Sequence, residues 1–146
     1  MPRPKILIVE DDPVQIQILQ TRLGTEGFDV AVAKDGVQGV GMVRREKPSL
    51  ILLDIGLPGG DGYLVIKRLK ALTPAAKLPV IVVSARPAEQ ERDRMIAAGA
   101  EDYFQKPLDY PALFARIHAL LGQAAAAEAA ARPVPGRVRV VAPFHS

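Results

Sequence analysis

The chain of 146 residues has no cysteine and no tryptophan. Disulfides and thiolate metal sites are therefore excluded, as expected of a protein kept in a reducing compartment. Aromatics make up only 5% of the residues. None is interleaved with basic residues, as a base-stacking surface would require. No apolar run approaches the roughly 18 residues needed to span a membrane. Met1-Pro2-Arg3-Pro4-Lys5 leads straight into Ile6-Leu7-Ile8-Val9. That run is too short for a signal-peptide core, and no small-residue cleavage site follows it. Net charge is only +3. Arg132, Arg137 and Arg139 against Glu128 account for +2 of it, so no concentrated basic stripe remains for nucleic acid. The expectation is a cytoplasmic protein with neither membrane nor nucleic acid among its partners.

What is present is regular. Apolar residues make up 49% of the chain, enough for one sizeable core. Short apolar runs at Lys5–Val9, Leu50–Leu53 and Pro79–Val83 suit strands buried on both faces. Weaker strand signals lie at Phe28–Ala33 and Asp102–Gln105. Between them stand helical segments at Pro13–Glu26, Asp35–Lys47, Tyr63–Leu72 and Ala88–Ala98, with a last one at Leu108–Leu121. Asp12 is the expected N-cap of the first helix, with Pro13 at its first position. Leu64, Leu69 and Leu72, with Ile66 more weakly, are the expected apolar side of the third. Gly122 is expected to stop or bend the last. Strand and helix alternate five times, which implies a parallel sheet with right-handed crossovers and helices on both faces. The expected fold is α/β: a five-stranded, doubly wound sheet of flavodoxin-like order 2-1-3-4-5. Its site is then expected beyond the carboxyl ends of the strands.

Those ends carry chemistry. The first strand ends in Glu10-Asp11-Asp12, the third in Asp54, the fourth in Ser84 and the fifth in Lys106-Pro107. Clustered carboxylates repel, so they need a raised pKa, dense hydrogen bonding or a cation. A hard divalent cation with oxygen ligands suits them, magnesium or manganese, and the Gly56 carbonyl is a candidate further ligand. A carboxylate nucleophile, a lysine and a hydroxyl around such an ion make a phosphoryl-acceptor site.

Asp11-Asp12, then Asp54-Ile55-Gly56-Leu57-Pro58-Gly59-Gly60-Asp61-Gly62, then Ser84-Ala85 and Lys106-Pro107 resemble, in that order, the receiver domain of two-component response regulators. Each motif alone is weak; four in sequence, each at a strand end, are specific. The resemblance covers about residues 4–121. It implies that Asp54 is phosphorylated by a sensor histidine kinase, a phosphotransfer protein or a small phosphodonor. It implies that Asp11, Asp12, Asp54 and the Gly56 carbonyl hold the metal, Asp12 most directly, and that Lys106 pairs with the phosphoryl group. Ser84 would move to hydrogen-bond that group, and Tyr103 would turn inward with it. The output is then phosphorylation-dependent protein binding, with homodimerisation on activation among the outcomes. The only turnover expected is the protein's own phosphorylation and dephosphorylation.

Gly56 and Arg86 occupy positions where the family tunes hydrolysis of the acyl phosphate. An open Gly56 admits water, while a long cationic Arg86 shields or binds the phosphoryl group, so the two act in opposite directions. His118, mid-helix, reads as a surface histidine rather than a relay residue.

Three other functions fit less well. A phosphorylation-independent docking module would not need the full acid, hydroxyl and lysine set. A flavin-binding electron carrier would meet repulsion between its phosphate and Glu10-Asp11-Asp12. A phosphatase acting on outside substrates would need a substrate pocket for which no segment is evident. Domain organisation is expected to be a receiver over residues 4–122 and an Ala/Pro-rich extension over 123–146. In the extension, Gln123–Ala131 suits a continued helix and Arg137–Val141 a strand. The extension has no room for an effector domain, so the chain reads as a stand-alone receiver. The alternative is the receiver part of a longer regulator.

Overall fold

A computed structural model describes residues 3–56, 61–72 and 78–131, with side chains described as far as residue 122. The Leu57-to-Gly60 part of the loop after Asp54, and the Arg137–Val141 segment, lie outside the described residues. The elements run β1 (Lys5–Val9), α1 (Pro13–Thr25), β2 (Asp29–Ala33), α2 (Gly36–Glu46), β3 (Leu50–Leu53) and α3 (Gly62–Leu72). They continue with β4 (Val80–Ser84), α4 (Ala88–Ala98), β5 (Asp102–Gln105) and α5 (Tyr110–Ala131). All strand pairs are parallel, in the order β2-β1-β3-β4-β5. The doubly wound fold expected from the alternation is the one observed.

Strand residues alternate between the two faces of the sheet, and each face carries its own core. On one face Leu7, Val9, Ile51, Leu53, Val80 and Val82 pack with Met42, Ile66, Leu69 and Met95 of α2, α3 and α4. On the other, Ile6, Ile8, Leu50, Leu52, Ile81 and Val83 pack with Leu19, Leu23, Leu113 and Ile117 of α1 and α5. Burial on both faces explains why β1, β3 and β4 read as unbroken apolar runs. Each large aliphatic side chain so buried contributes about 1.5–3 kcal/mol.

The local signals for α1 hold. Asp12 is extended at the N-cap, its carboxylate accepts the Val14 N–H, and Pro13 follows it into the helix. Ile16, Leu19 and Leu23 form the buried stripe.

Two expectations need correction. Leu64 is 55% exposed, and the buried face of α3 is Gly62, Ile66 and Leu69. Gly62 opens that helix rather than closing the loop before it. A Cβ there would lie 2.6 Å from the Ile55 Cγ2, so only glycine lets the helix start so close to β3. The last helix does not stop at Gly122 but runs on to Ala131, so the continued helix expected over Gln123–Ala131 is the one observed. One exposed glycine costs a helix about 1 kcal/mol, which the following alanines offset. No helix among the described residues is long and apolar enough to cross a membrane.

Candidate functional site

Backbone hydrogen bonds carry the ladder just past the strand ends and fix the site residues. Glu10 N–H donates to Ala33 O at 2.9 Å and Asp54 N–H to Val9 O at 3.0 Å. Lys106 N–H donates to Ser84 O at 2.7 Å. The residues leaving β1, β3 and β5 are thereby brought to one edge of the sheet, and the Lys106-Pro107 peptide is cis.

Lys106 Nζ donates to Asp54 Oδ2 at 3.1 Å and to Glu10 Oε1 at 2.9 Å. One ammonium thus bridges two carboxylates. Glu10 is 1% exposed. Its second oxygen accepts the Asp12 N–H at 3.2 Å. Burial pushes the Glu10 carboxyl above its ordinary range; the hydrogen bond from Lys106 opposes this and the Asp54 charge adds to it. For Lys106, burial favours the neutral form, but the bonds and charges of Glu10 and Asp54 outweigh it and hold the ammonium above its usual pKa. Asp54 keeps 12% of its side chain exposed, and its Oδ1 accepts the Gly56 N–H at 2.8 Å.

Glu10 is the residue at the candidate site that sequence reasoning did not single out. The sequence shows three successive acids, and only the fold decides which turns inward. Asp11 and Asp12 are both exposed. Asp12 Oδ1 is engaged with the Val14 N–H at 3.1 Å, the helix-capping bond expected of it.

At the far side of the site, Ser84 is 1% exposed and its Oγ accepts the Arg86 N–H at 3.1 Å. Tyr103 already lies inward at 5% exposure, rather than outward and waiting to turn in with Ser84 as the resemblance implied, and its hydroxyl donates to Arg86 O at 2.8 Å. Both side chains therefore converge on the Arg86 peptide, while the Arg86 residue itself is exposed. Burial raises the Tyr103 phenol pKa, opposed by hydrogen bonding with Ser84.

The donor set for a cation is oxygen throughout: the Asp11, Asp12 and Asp54 carboxylates and the Gly56 carbonyl. Such ligands fit magnesium or manganese. Among the described residues no three acidic or histidine side chains form a ready-made metal cluster. Magnesium needs only one or two carboxylates and completes its shell with water and phosphate oxygens, so the residues present fit it.

Comparisons with known proteins identify the family and the fold. The model of the response regulator receiver domain matches residues 6–118. The chain is 37% identical over 118 residues to the DNA-binding dual master transcriptional regulator RpaA of Synechocystis sp., covering 81% of this chain and 49% of that one. It is 38% identical over 121 residues to the phosphate regulon transcriptional regulatory protein PhoB of Rhizobium meliloti, covering 83% and 53%. The chain spans about half the length of these curated relatives. Among solved structures it resembles the receiver domain of the sensor histidine kinase PA1611 from Pseudomonas aeruginosa. That match has a TM-score of 0.75 and 30% identity, covering 83% of this chain and 99% of that one. The PA1611 structure is described with a magnesium ion coordinated in its active-site cleft.

Proposed function

This chain belongs to the response regulator receiver domain family, and from that premise we propose that it is a phosphorylation switch whose acceptor is Asp54. The observation that carries the proposal is Lys106 bridging Asp54 Oδ2 and Glu10 Oε1 at the ends of three strands. A nucleophilic carboxylate, partly exposed, stands against a cation that stays protonated.

An Asp54 oxygen attacks the phosphorus of a phosphohistidine or of a small acyl phosphate. A P–O bond to Asp54 forms as the bond to the donor breaks, and the leaving group takes the electron pair. Lys106 pairs with the added oxygens, and the Gly56 N–H is placed to hold the Asp54 carboxyl. Asp11 and Asp12, with Asp54 and the Gly56 carbonyl, would hold magnesium or manganese, whose charge offsets that of the phosphoryl group. Asp12 has one oxygen already committed to Val14, and Glu10 stands behind the set as the carboxylate that anchors Lys106.

Phosphorylation then biases a two-state element. Ser84 leaves the Arg86 N–H for the phosphoryl oxygens, and the Tyr103 position changes with the shared Arg86 peptide. The partners are a sensor histidine kinase or phosphotransfer protein upstream and a protein surface downstream, with homodimerisation as one form of output. A second reading is favoured by the greater length of the curated relatives: the same switch governs an attached output domain.

Intact mass after incubation with acetyl phosphate and magnesium tests the proposal. Gain of one phosphoryl group, absent in Asp54→Asn and without magnesium, is expected. An unchanged mass under conditions that trap acyl phosphates would leave a docking module instead.

A further inference from the structure

α4 begins without a cap of its own. Pro87 stands at its N-cap and provides no side-chain acceptor. The Ala88 N–H donates instead to Gln105 Oε1 at 2.9 Å, 17 residues further along the chain. Gln105 is the last residue of β5, exposed, in register with Ser84, and directly precedes Lys106.

The rest of the helix makes this bond consequential. No residue from 88 to 94 is buried; the buried residues of α4 are Met95 and Ala98, near its far end. Apart from Ala88, which packs half-buried against the core, its first two turns are held by polar contacts. Gln105 takes the Ala88 amide, Arg92 Nη1 donates to Asp102 Oδ1 at 2.8 Å, and Arg94 Nη2 donates to Asp61 Oδ2 at 2.9 Å. Two of these three anchors come from β5: Asp102 adjoins Tyr103, and Gln105 adjoins Lys106, the residue that pairs with Asp54. A helix start held by so few contacts sits at the low end of local stability, where one bond shifts the balance between ordered and frayed.

We infer that Gln105 is a positioning residue that ties the first turn of α4 to the Lys106 end of β5. The inference rests on the phosphoryl-acceptor reading above. A phosphoryl group on Asp54 gives Lys106 new oxygens to pair with, against its present hold on Glu10. The end of β5 follows, and Gln105 passes the displacement to the Ala88 amide.

The test is amide exchange read by mass spectrometry on the full chain, for wild type, Gln105→Leu and Gln105→Glu. Each is measured without and with acetyl phosphate and magnesium, and intact mass records phosphoryl occupancy. Gln105 is exposed, so neither substitution threatens the core. Unphosphorylated Gln105→Leu is expected to exchange residues 88–91 about fivefold faster, the loss of a typical cap, with residues 95–98 unchanged. Gln105→Glu keeps an acceptor at the same reach and is expected to match wild type. At equal occupancy, phosphorylation is expected to change exchange at residues 88–91 in wild type and Gln105→Glu but not in Gln105→Leu. A wild type whose exchange there ignores phosphorylation would reduce Gln105 to a static cap and overturn the inference. An unaltered response in Gln105→Leu would overturn it too. If the wild-type mass shows no phosphoryl gain, the acceptor reading fails and takes the coupling with it. Slower or equal exchange in unphosphorylated Gln105→Leu refutes the cap independently.

Discussion

Glu10 and Lys106 meet at 2.9 Å although 96 residues separate them, and the glutamate is all but sealed from solvent. The lysine is thus held before any phosphoryl group arrives. Its two carboxylate partners make it both a structural cation and, in the proposed function, a preorganised part of the acceptor site.

That double role predicts a pH signature for Lys106→Met. Lys106 has a raised pKa in the fold, so its contribution is complete below the ordinary lysine pKa of about 10.4 and is lost only as pH rises through the raised value. At pH 7.5 its removal leaves Glu10 and Asp54 without their cation. A cost of about 1–3 kcal/mol is expected in denaturant melts. Without Lys106, the Glu10 pKa rises further above its ordinary value. The penalty then shrinks as pH falls into the acid range and Glu10 takes up a proton. A gap between variant and wild type that stays constant over this range would contradict the role given to Glu10.

Tyr103 separates hydroxyl from ring. Tyr103→Phe removes the hydroxyl's bond to Arg86 O and its hydrogen bonding with Ser84, and should cost about 0.5–1.5 kcal/mol in denaturant melts. Tyr103→Ala also empties a buried position and should cost about 3–5 kcal/mol. Acetyl phosphate should still phosphorylate Tyr103→Phe at a rate close to wild type, because the hydroxyl does not touch Asp54 among its hydrogen bonds.

Gly56 leaves the acceptor open. A Cβ there would stand 3.3 Å from Asp54 Oδ1, a crowded contact. Gly56→Ala is therefore expected to prolong the acyl phosphate severalfold by obstructing water, read as decay of the phosphorylated mass after donor removal. Decay as fast as wild type would show that water enters from another side.

Leu52 and Leu64 test the core assignment. Leu52 is fully buried, and Leu52→Ala should cost about 2–5 kcal/mol. Leu64→Ser, on an exposed helix surface, should stay within about 0.5 kcal/mol of wild type.

The same pair shows how far the sequence could be read. Lys5–Val9 and Leu50–Leu53 were legible as strands because burial on both faces removes every polar interruption. Asp12, Pro13 and Gly99 marked helix ends through local backbone chemistry that needs no tertiary information. The strand-end residues Asp54, Ser84 and Lys106 followed once the strands were ordered. Leu64 misled because periodicity was counted from the leucines, whereas the buried face of α3 is set by the tight approach of Gly62 to Ile55. Glu10 was hidden because three adjacent acids are equivalent until a strand end turns one inward. The Gln105 bond to Ala88 was hidden for a simpler reason. It joins two loop-edge residues whose proximity exists only after β4 and β5 have paired.

The central claim is that Asp54 is the phosphoryl acceptor, and the most direct measurement locates the acyl phosphate chemically. The protein is incubated with acetyl phosphate and magnesium and reduced with borohydride, which converts an aspartyl phosphate to homoserine; the peptides are then sequenced by mass spectrometry. The account predicts homoserine at position 54 and at no other aspartate. Homoserine at Asp11 or Asp12, or none at all in protein whose intact mass has risen by one phosphoryl group, would contradict it.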